Sequence, residues 1–265
     1  MNFKNIYTHW RTVLIVAEMT LRHIINDSFA IFGILVQPLI IATLALFMLK
    51  DTAAGAAMFV VVGSGLTGLW TGLVFESGNS ITTERWQGTL ETLVGVPTPL
   101  EVILFGKNLA NVTMSLGAMI ASYLLATLLF GYSLSIDQPL LFFASLLVSV
   151  FGFISFGLTI APMFVMYRSV QQFQNTMEYP VFILAGFLFP ILLLPNWTTP
   201  LSYLLPPYWA AVALHGTSTM NAPFQQILFA WGMLLVFSIL DLFIASRLFK
   251  VMLYKVRVDA TLDVQ

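Results

Sequence analysis

The chain has 265 residues, 58% of them hydrophobic and 9% charged, with a mean hydropathy of +0.90. Too little polar surface exists to coat a soluble globule, so composition places the chain among integral membrane proteins. A net charge of −1 provides no basic stripe for nucleic acid, and the lack of cysteine excludes disulfides and thiolate metal sites.

The first 27 residues read as an amphipathic helix. Ile6, Trp10, Val13, Ala17, Leu21 and Ile24 recur at helical spacing, with Lys4, Thr8, Arg11, Glu18 and Arg22 elsewhere on the wheel. That pattern predicts a helix lying in the membrane interface, against lipid, with Glu18 and Arg22 forming an i,i+4 pair. The apolar run that follows is too long for a signal-peptide core, so no cleaved signal is expected.

Six spans are predicted in a single permease domain over residues 1–265: Ser28–Leu49, Ala56–Gly78, Asn108–Gly131, Leu140–Met166, Met177–Leu194 and Phe224–Leu248, with a tail over 249–265. The fold class is therefore an all-α polytopic membrane protein. Gln37-Pro38 predicts a bend in the first span, and Ser64, Gly68 and Gly72, four residues apart, predict close helix approach in the second.

Between the second and third spans lies a polar, helix-patterned island, Ile81 to Glu101. Trp86, Leu90, Leu93 and Val94 share one helical face, and Glu84, Gln87, Gly88 and Glu91 the other. A helix over about 82–95 is expected to stop at Gly95, with Thr98-Pro99-Leu100-Glu101 as a capping box that places proline at the first helical position. At the other end of the molecule, FPILLLPNWTTPLSYLLPP over Phe189 to Pro207 holds five prolines and no charge, which predicts a broken, re-entrant hairpin.

Ten of the eleven basic residues fall on one side of a six-span topology, leaving Lys50 alone opposite. Both termini and the island are thereby assigned to the cytoplasm and the hairpin to the exterior. Ionisable residues near or within the spans are few. Glu76 and Glu178 sit near inner ends. Asp241 lies inside the last span, about 9 Å along the axis from Arg247, so it is expected to pair with another helix as a pin for the bundle.

No GxxxxGK[ST] phosphate loop occurs, and His9, His23 and His215 have no metal-ligand spacing. With no nucleophile elbow and no paired carboxylates, the chain is not expected to be an enzyme. It carries no cofactor of its own and must borrow its energy.

Glu84-Arg85-Trp86-Gln87-Gly88-Thr89-Leu90-Glu91 resembles the cytoplasmic E-R-x-x-G-T-L-E signature of the permease subunits of ABC type-2 exporters, in their drug- and antibiotic-resistance-like branch. The order of elements is similar too: leader, two spans, signature, four spans, and a proline-rich hairpin before the last. The resemblance implies that the leader is a connecting helix and that the signature belongs to a coupling helix docking on a separate ATPase subunit. Glu84, Arg85, Gly88, Thr89 and Glu91 would make that contact. It implies ATP and Mg on that partner, a second permease copy or homologue, and a bacterial plasma membrane. Many relatives carry arginine shortly after the hairpin, where this chain has His215.

Phe173, Met177, Phe182 and Phe187, on and before the fifth span, are candidates to line an amphiphile's route or to pack. With few charges in its spans, the chain suits export of an amphiphilic drug, antibiotic, peptide or lipid-like molecule. The alternatives are polysaccharide or glycolipid export, and an ion-coupled secondary transporter or channel. The last needs a midplane ionisable relay or an inverted repeat, and neither stands out in the sequence.

Overall fold

A computed structural model describes residues 3–48, 54–73, 78–89, 92, 95, 96, 98–166, 176 and 178–258. The described residues form helices and turns without a strand, as a chain that must satisfy its own backbone inside a bilayer requires. Helix α1 spans Phe3–Asn26, and α2 spans Ser28–Met48 with a π turn at Phe32–Val36. Helix α3 is Ala54–Thr71, α4 Gly78–Trp86, α5 Leu100–Leu128 and α6 Pro139–Met166. Helices α7 (Thr199–Tyr203), α8 (Pro206–Ser218) and α9 (Phe224–Val258) follow.

Among the described residues, four helices are long and apolar enough to cross a membrane: α2, α5, α6 and α9, with α3 a shorter apolar helix. The predicted fifth span is not one helix. Residues 178–184 are helical, Gly186 takes φ +70°, and the chain continues through 3-10 turns at Ile191–Leu193 and Asn196–Thr198. Gly186 tolerates this left-handed turn, and prolines 190 and 195 prevent the helix from resuming.

Leaving the helix exposes backbone polar groups that an apolar core cannot satisfy. The Phe187 carbonyl accepts a hydrogen bond from His215 Nε2 at 3.1 Å, and the imidazole stacks on Phe59 with centroids 3.6 Å apart. His215 is thus a buried donor, a role that requires no charge. Its helix α8, absent from the sequence expectations, starts with Pro206 and Pro207 and is almost entirely buried. The last α8 carbonyls, Thr217 and Ser218, accept from the backbone N–H groups of Gln138 and Asp137 just before α6.

Glycine and hydroxyl residues set the close helix contacts. A Cβ on Gly63 of α3 would lie 2.0 Å from the Phe187 carbonyl oxygen. Gly68 and Gly72 do admit neighbours, as their spacing predicts: Gly68 faces the Ile34 carbonyl, and Gly72 faces Ser115. Just ahead of Pro38, α2 leaves α geometry: proline has no N–H for the Ile34 carbonyl, and the helix adjusts through the π turn. Helices α6 and α9 run side by side through contacts seven residues apart on α6. Ser145 accepts from Trp231 Nε1 at 2.9 Å, Gly152 faces Leu234, and the Thr159 hydroxyl donates to the Asp241 carbonyl at 2.8 Å. Small residues at this interval leave room for the Trp231 and Leu234 side chains and so let the two helices approach closely.

Helix α1 is not simply a lipid-facing anchor. Val13, Ala17 and Ile24 are buried, and Gly106 of α5 sits so close that a Cβ there would be 2.8 Å from the Val13 carbonyl. Trp10, on the same periodic stripe as Val13, Ala17 and Ile24, is exposed together with Tyr7, Leu14 and Met19. The Glu18–Arg22 pair forms at 2.7 Å.

Gly63→Ala is expected to lower stability by about 1–3 kcal/mol or more, because the contact is with backbone that cannot rotate away. Gly117→Ala, where an added Cβ meets nothing within 4 Å, should be neutral within about 0.5 kcal/mol. Thermal unfolding of the two variants in one detergent checks the difference.

Candidate functional site

The island folds differently from its periodicity. Helix α4 ends at Trp86, and Gly88 adopts φ +69°, so the signature glycine terminates the helix instead of occupying a face of it. Thr92 and Gly95 are helical again, so Gly88 interrupts the island ahead of the stop predicted at Gly95. A left-handed residue closes a helix at lowest cost when it lacks a Cβ, which is the property Gly88 supplies. An added Cβ there would meet no atom within 4 Å, so the turn is open to whatever approaches it.

Glu84 points inward. Its Oε1 accepts from Lys107 Nζ of α5 at 2.7 Å, with each side chain 19% exposed. Thr89 closes the arrangement: its hydroxyl reaches the Glu84 carboxylate, and its N–H donates to the Glu84 carbonyl at 2.9 Å. Burial opposes the charge on Glu84, but the hydrogen bonds from Lys107 and Thr89 and the Lys107 charge outweigh it. The carboxyl is held below its ordinary value. Glu84 is thus engaged within the chain, and Thr89, itself exposed, bonds back to it. Glu91 and the Arg85 side chain lie outside the described residues.

Three elements far apart in sequence meet behind this clamp. A cavity of about 350 Å³ is lined by Val16 and His23 of α1, Thr83 of α4 and Gln87 just after it, and Lys107 and Asn111 of α5, among others. The leader, the signature and the third predicted span thus share one end of the bundle. Helix α5 begins at Leu100, close to where the capping box put it. Pro99 is the N-cap, however, and no side chain caps the helix. Proline cannot supply a capping oxygen, and its extended ψ of 137° simply directs the chain into the helix.

The remaining candidates separate. Phe173 and Met177 lie outside the described residues. Phe182 and Phe187 are buried in the core with ring centroids 5.9 Å apart. Asp241 makes no ion pair among the described residues. Its backbone carbonyl, through Thr159, forms the interhelix contact, and Arg247 lies over the Phe243 ring at 5.1 Å. Sequence reasoning missed the Lys107 partner of Glu84. The one signal was a basic residue seven positions into an otherwise apolar helix.

Taken together, these features define a multi-pass helical membrane protein in which a polar loop is braced against the bundle and left accessible at its glycine turn. The family model for ABC-2 type transporters matches residues 12–219, and the chain belongs to that family. No curated relative matches it. Membership makes the chain a membrane-spanning transport component of ABC transporters, not a catalytic domain, and implies an ABC ATPase as partner.

Lys107→Met strands the Glu84 carboxylate and is expected to lower stability by about 1–3 kcal/mol, less than for a fully buried pair. Adding Glu84→Gln should recover part of that loss in a double-mutant cycle. The folded-state pKa of Glu84 lies below its ordinary 4.5, so the clamp's contribution is present above that value and lost as pH falls through the lowered one. The stability difference between wild type and the double variant should therefore shrink on acidification, as followed by thermal unfolding.

Proposed function

We propose that the chain is the transmembrane subunit of an ATP-driven exporter that moves an amphiphilic substrate out of the cytoplasm or inner leaflet by alternating access. The observation that carries this reading is the clamped turn: Gly88 is open to a partner while Glu84, Lys107 and Thr89 tie it to α5. The ATPase subunit docks at this turn, with Arg85 and Glu91 as candidate charged contacts that set its orientation. Closure of the ATPases pushes on α4, and the Glu84–Lys107 pair passes the displacement to α5, a helix of 29 residues. Both termini and the turn are cytoplasmic, in keeping with the basic residues gathered on that side. The irregular segment around Pro190 and Pro195 faces the exterior. ATP and Mg are held by the partner, and two permease subunits enclose the pathway. The row of exposed Tyr7, Trp10 and Leu14 on α1 meets lipid headgroups.

Substitution at Gly88 tests the docking. Asparagine tolerates the left-handed region and valine does not. Gly88→Val should leave the permease inserted and folded while transport per ATP hydrolysed falls about tenfold or more, and Gly88→Asn should retain most coupling. Reconstitution with the ATPase and measurement of both rates decides; wild-type coupling in Gly88→Val would overturn docking at this turn.

A further inference from the structure

A second polar feature lies away from the clamp, in the wall of the bundle. Glu178 is 7% exposed and accepts hydrogen bonds at Oε1 from the Thr71 hydroxyl of α3 at 2.8 Å and the Gln37 amide of α2 at 3.4 Å. It borders a cavity of about 460 Å³ that Phe29, Phe32 and Ile40 of α2 and Tyr179 also line. Those four side chains are each about half or more exposed on the outer surface of the bundle, so the cavity opens sideways and not only along the bundle axis.

Charge distinguishes this carboxylate from Glu84. Glu84 has Lys107 at 2.7 Å, whereas among the described residues no lysine, arginine or histidine lines the Glu178 cavity and no ion pair to Glu178 forms. Two neutral donors offset only part of the cost of withdrawing a carboxylate from water, and the attraction for a cation is strongest where the dielectric is low. Aromatic faces at the rim, from Phe29, Phe32 and Tyr179, favour the same charge. The backbone is adapted to the site: the π turn at Phe32–Val36 inserts a residue just before Gln37 and so turns Gln37 by about 100° from the register set by Ser28. Gln37 is about 13 Å along α2 from Ser28, at a depth where a polar head held at Glu178 leaves its tail among lipid.

We propose that Glu178, Thr71 and Gln37 form a lateral subsite for the positively charged head of a lipophilic ammonium compound. The proposal rests on the export reading for its direction of traffic but not for binding. The ammonium displaces water in the cavity and donates to the Glu178 carboxylate, while the apolar tail leaves between Phe32 and Ile40. The same chemistry is offered by a free cationic amphiphile and by the amine headgroup of a lipid.

The test uses the full-length permease with its ATPase, in nanodiscs of phosphatidylglycerol, which carries no amine. n-Dodecylamine and n-dodecanol share a tail and differ in charge, and binding is read as the shift in melting temperature with concentration. The amine should stabilise the wild type at concentrations at least tenfold below the alcohol. Glu178→Gln, of nearly the same shape, should abolish that preference, and Glu178→Asp should keep it. Ile40→Trp, which narrows the mouth and retains the carboxylate, should weaken amine binding several-fold and so supports the same conclusion if Glu178→Gln fails to fold. Phosphatidylethanolamine that displaces dodecylamine identifies a lipid headgroup as an occupant, and failure to displace it identifies the free amphiphile; either accompanies a standing subsite. Equal binding of amine and alcohol, or an unchanged preference in Glu178→Gln, overturns the proposal. Binding without ATP-coupled transport sinks the export reading alone, and coupled transport without the preference sinks the subsite alone.

Discussion

A carboxylate on α4 and an ammonium on α5, 2.7 Å apart, tie the signature loop to the transmembrane bundle. Helix α4 itself packs against α6, and this bond adds the tie from α4 and its turn to α5. With it, a displacement of the turn loads a helix that begins at Leu100 and runs to Leu128. Thr89 strengthens the arrangement by engaging both the carboxylate and the carbonyl of Glu84, so that the residue after the glycine turn is fixed to the residue before it. The pair is only partly shielded from water, a setting in which a salt bridge specifies geometry more than it adds stability.

The bundle on which this loop acts is held together by a different rule. Lipid tails are as apolar as leucine, so burial of apolar side chains gives little preference for helix over lipid, and close packing with satisfied polar groups decides. Gly63, Gly72, Gly106 and Gly152 each mark a place where another helix or a carbonyl occupies the space of a side chain. His215 serves the same rule at the broken segment, donating to the carbonyl that Gly186 releases from helical bonding. Glu178 stands apart from both groups, with hydrogen bonds from two neutral donors and a cavity beside it.

Legibility in the sequence follows from the range of each interaction. Hydropathy is a local property, so the apolar helices α2, α5, α6 and α9 are apparent from composition, as is the Glu18–Arg22 pair within one helix. Periodicity gave no sign of the break after α4, because the apolar positions at Leu90 and Val94 continue the helical pattern past a glycine whose left-handed backbone interrupts it. The inward turn of Glu84 depends on Lys107, 23 residues away, and a resemblance that marks both residues of a loop as polar does not say which one faces the bundle. Buried helix α8 was overlooked since its row of alanines and small polar residues has neither the length of a span nor an amphipathic face. Phe182 and Phe187 are buried in the core, a placement that only tertiary contacts make visible.

The central claim is that the turn at Gly88 and helix α5 move as one body when the partner ATPase changes state. The chain has no cysteine, so spin labels at Gln87→Cys and Thr113→Cys, both exposed positions, report without background. Pulsed dipolar spectroscopy on the reconstituted complex should give the same 87–113 distance in nucleotide-free and ATP-trapped states. A shift of several ångströms between the two states would show the turn moving independently of α5 and would contradict the account.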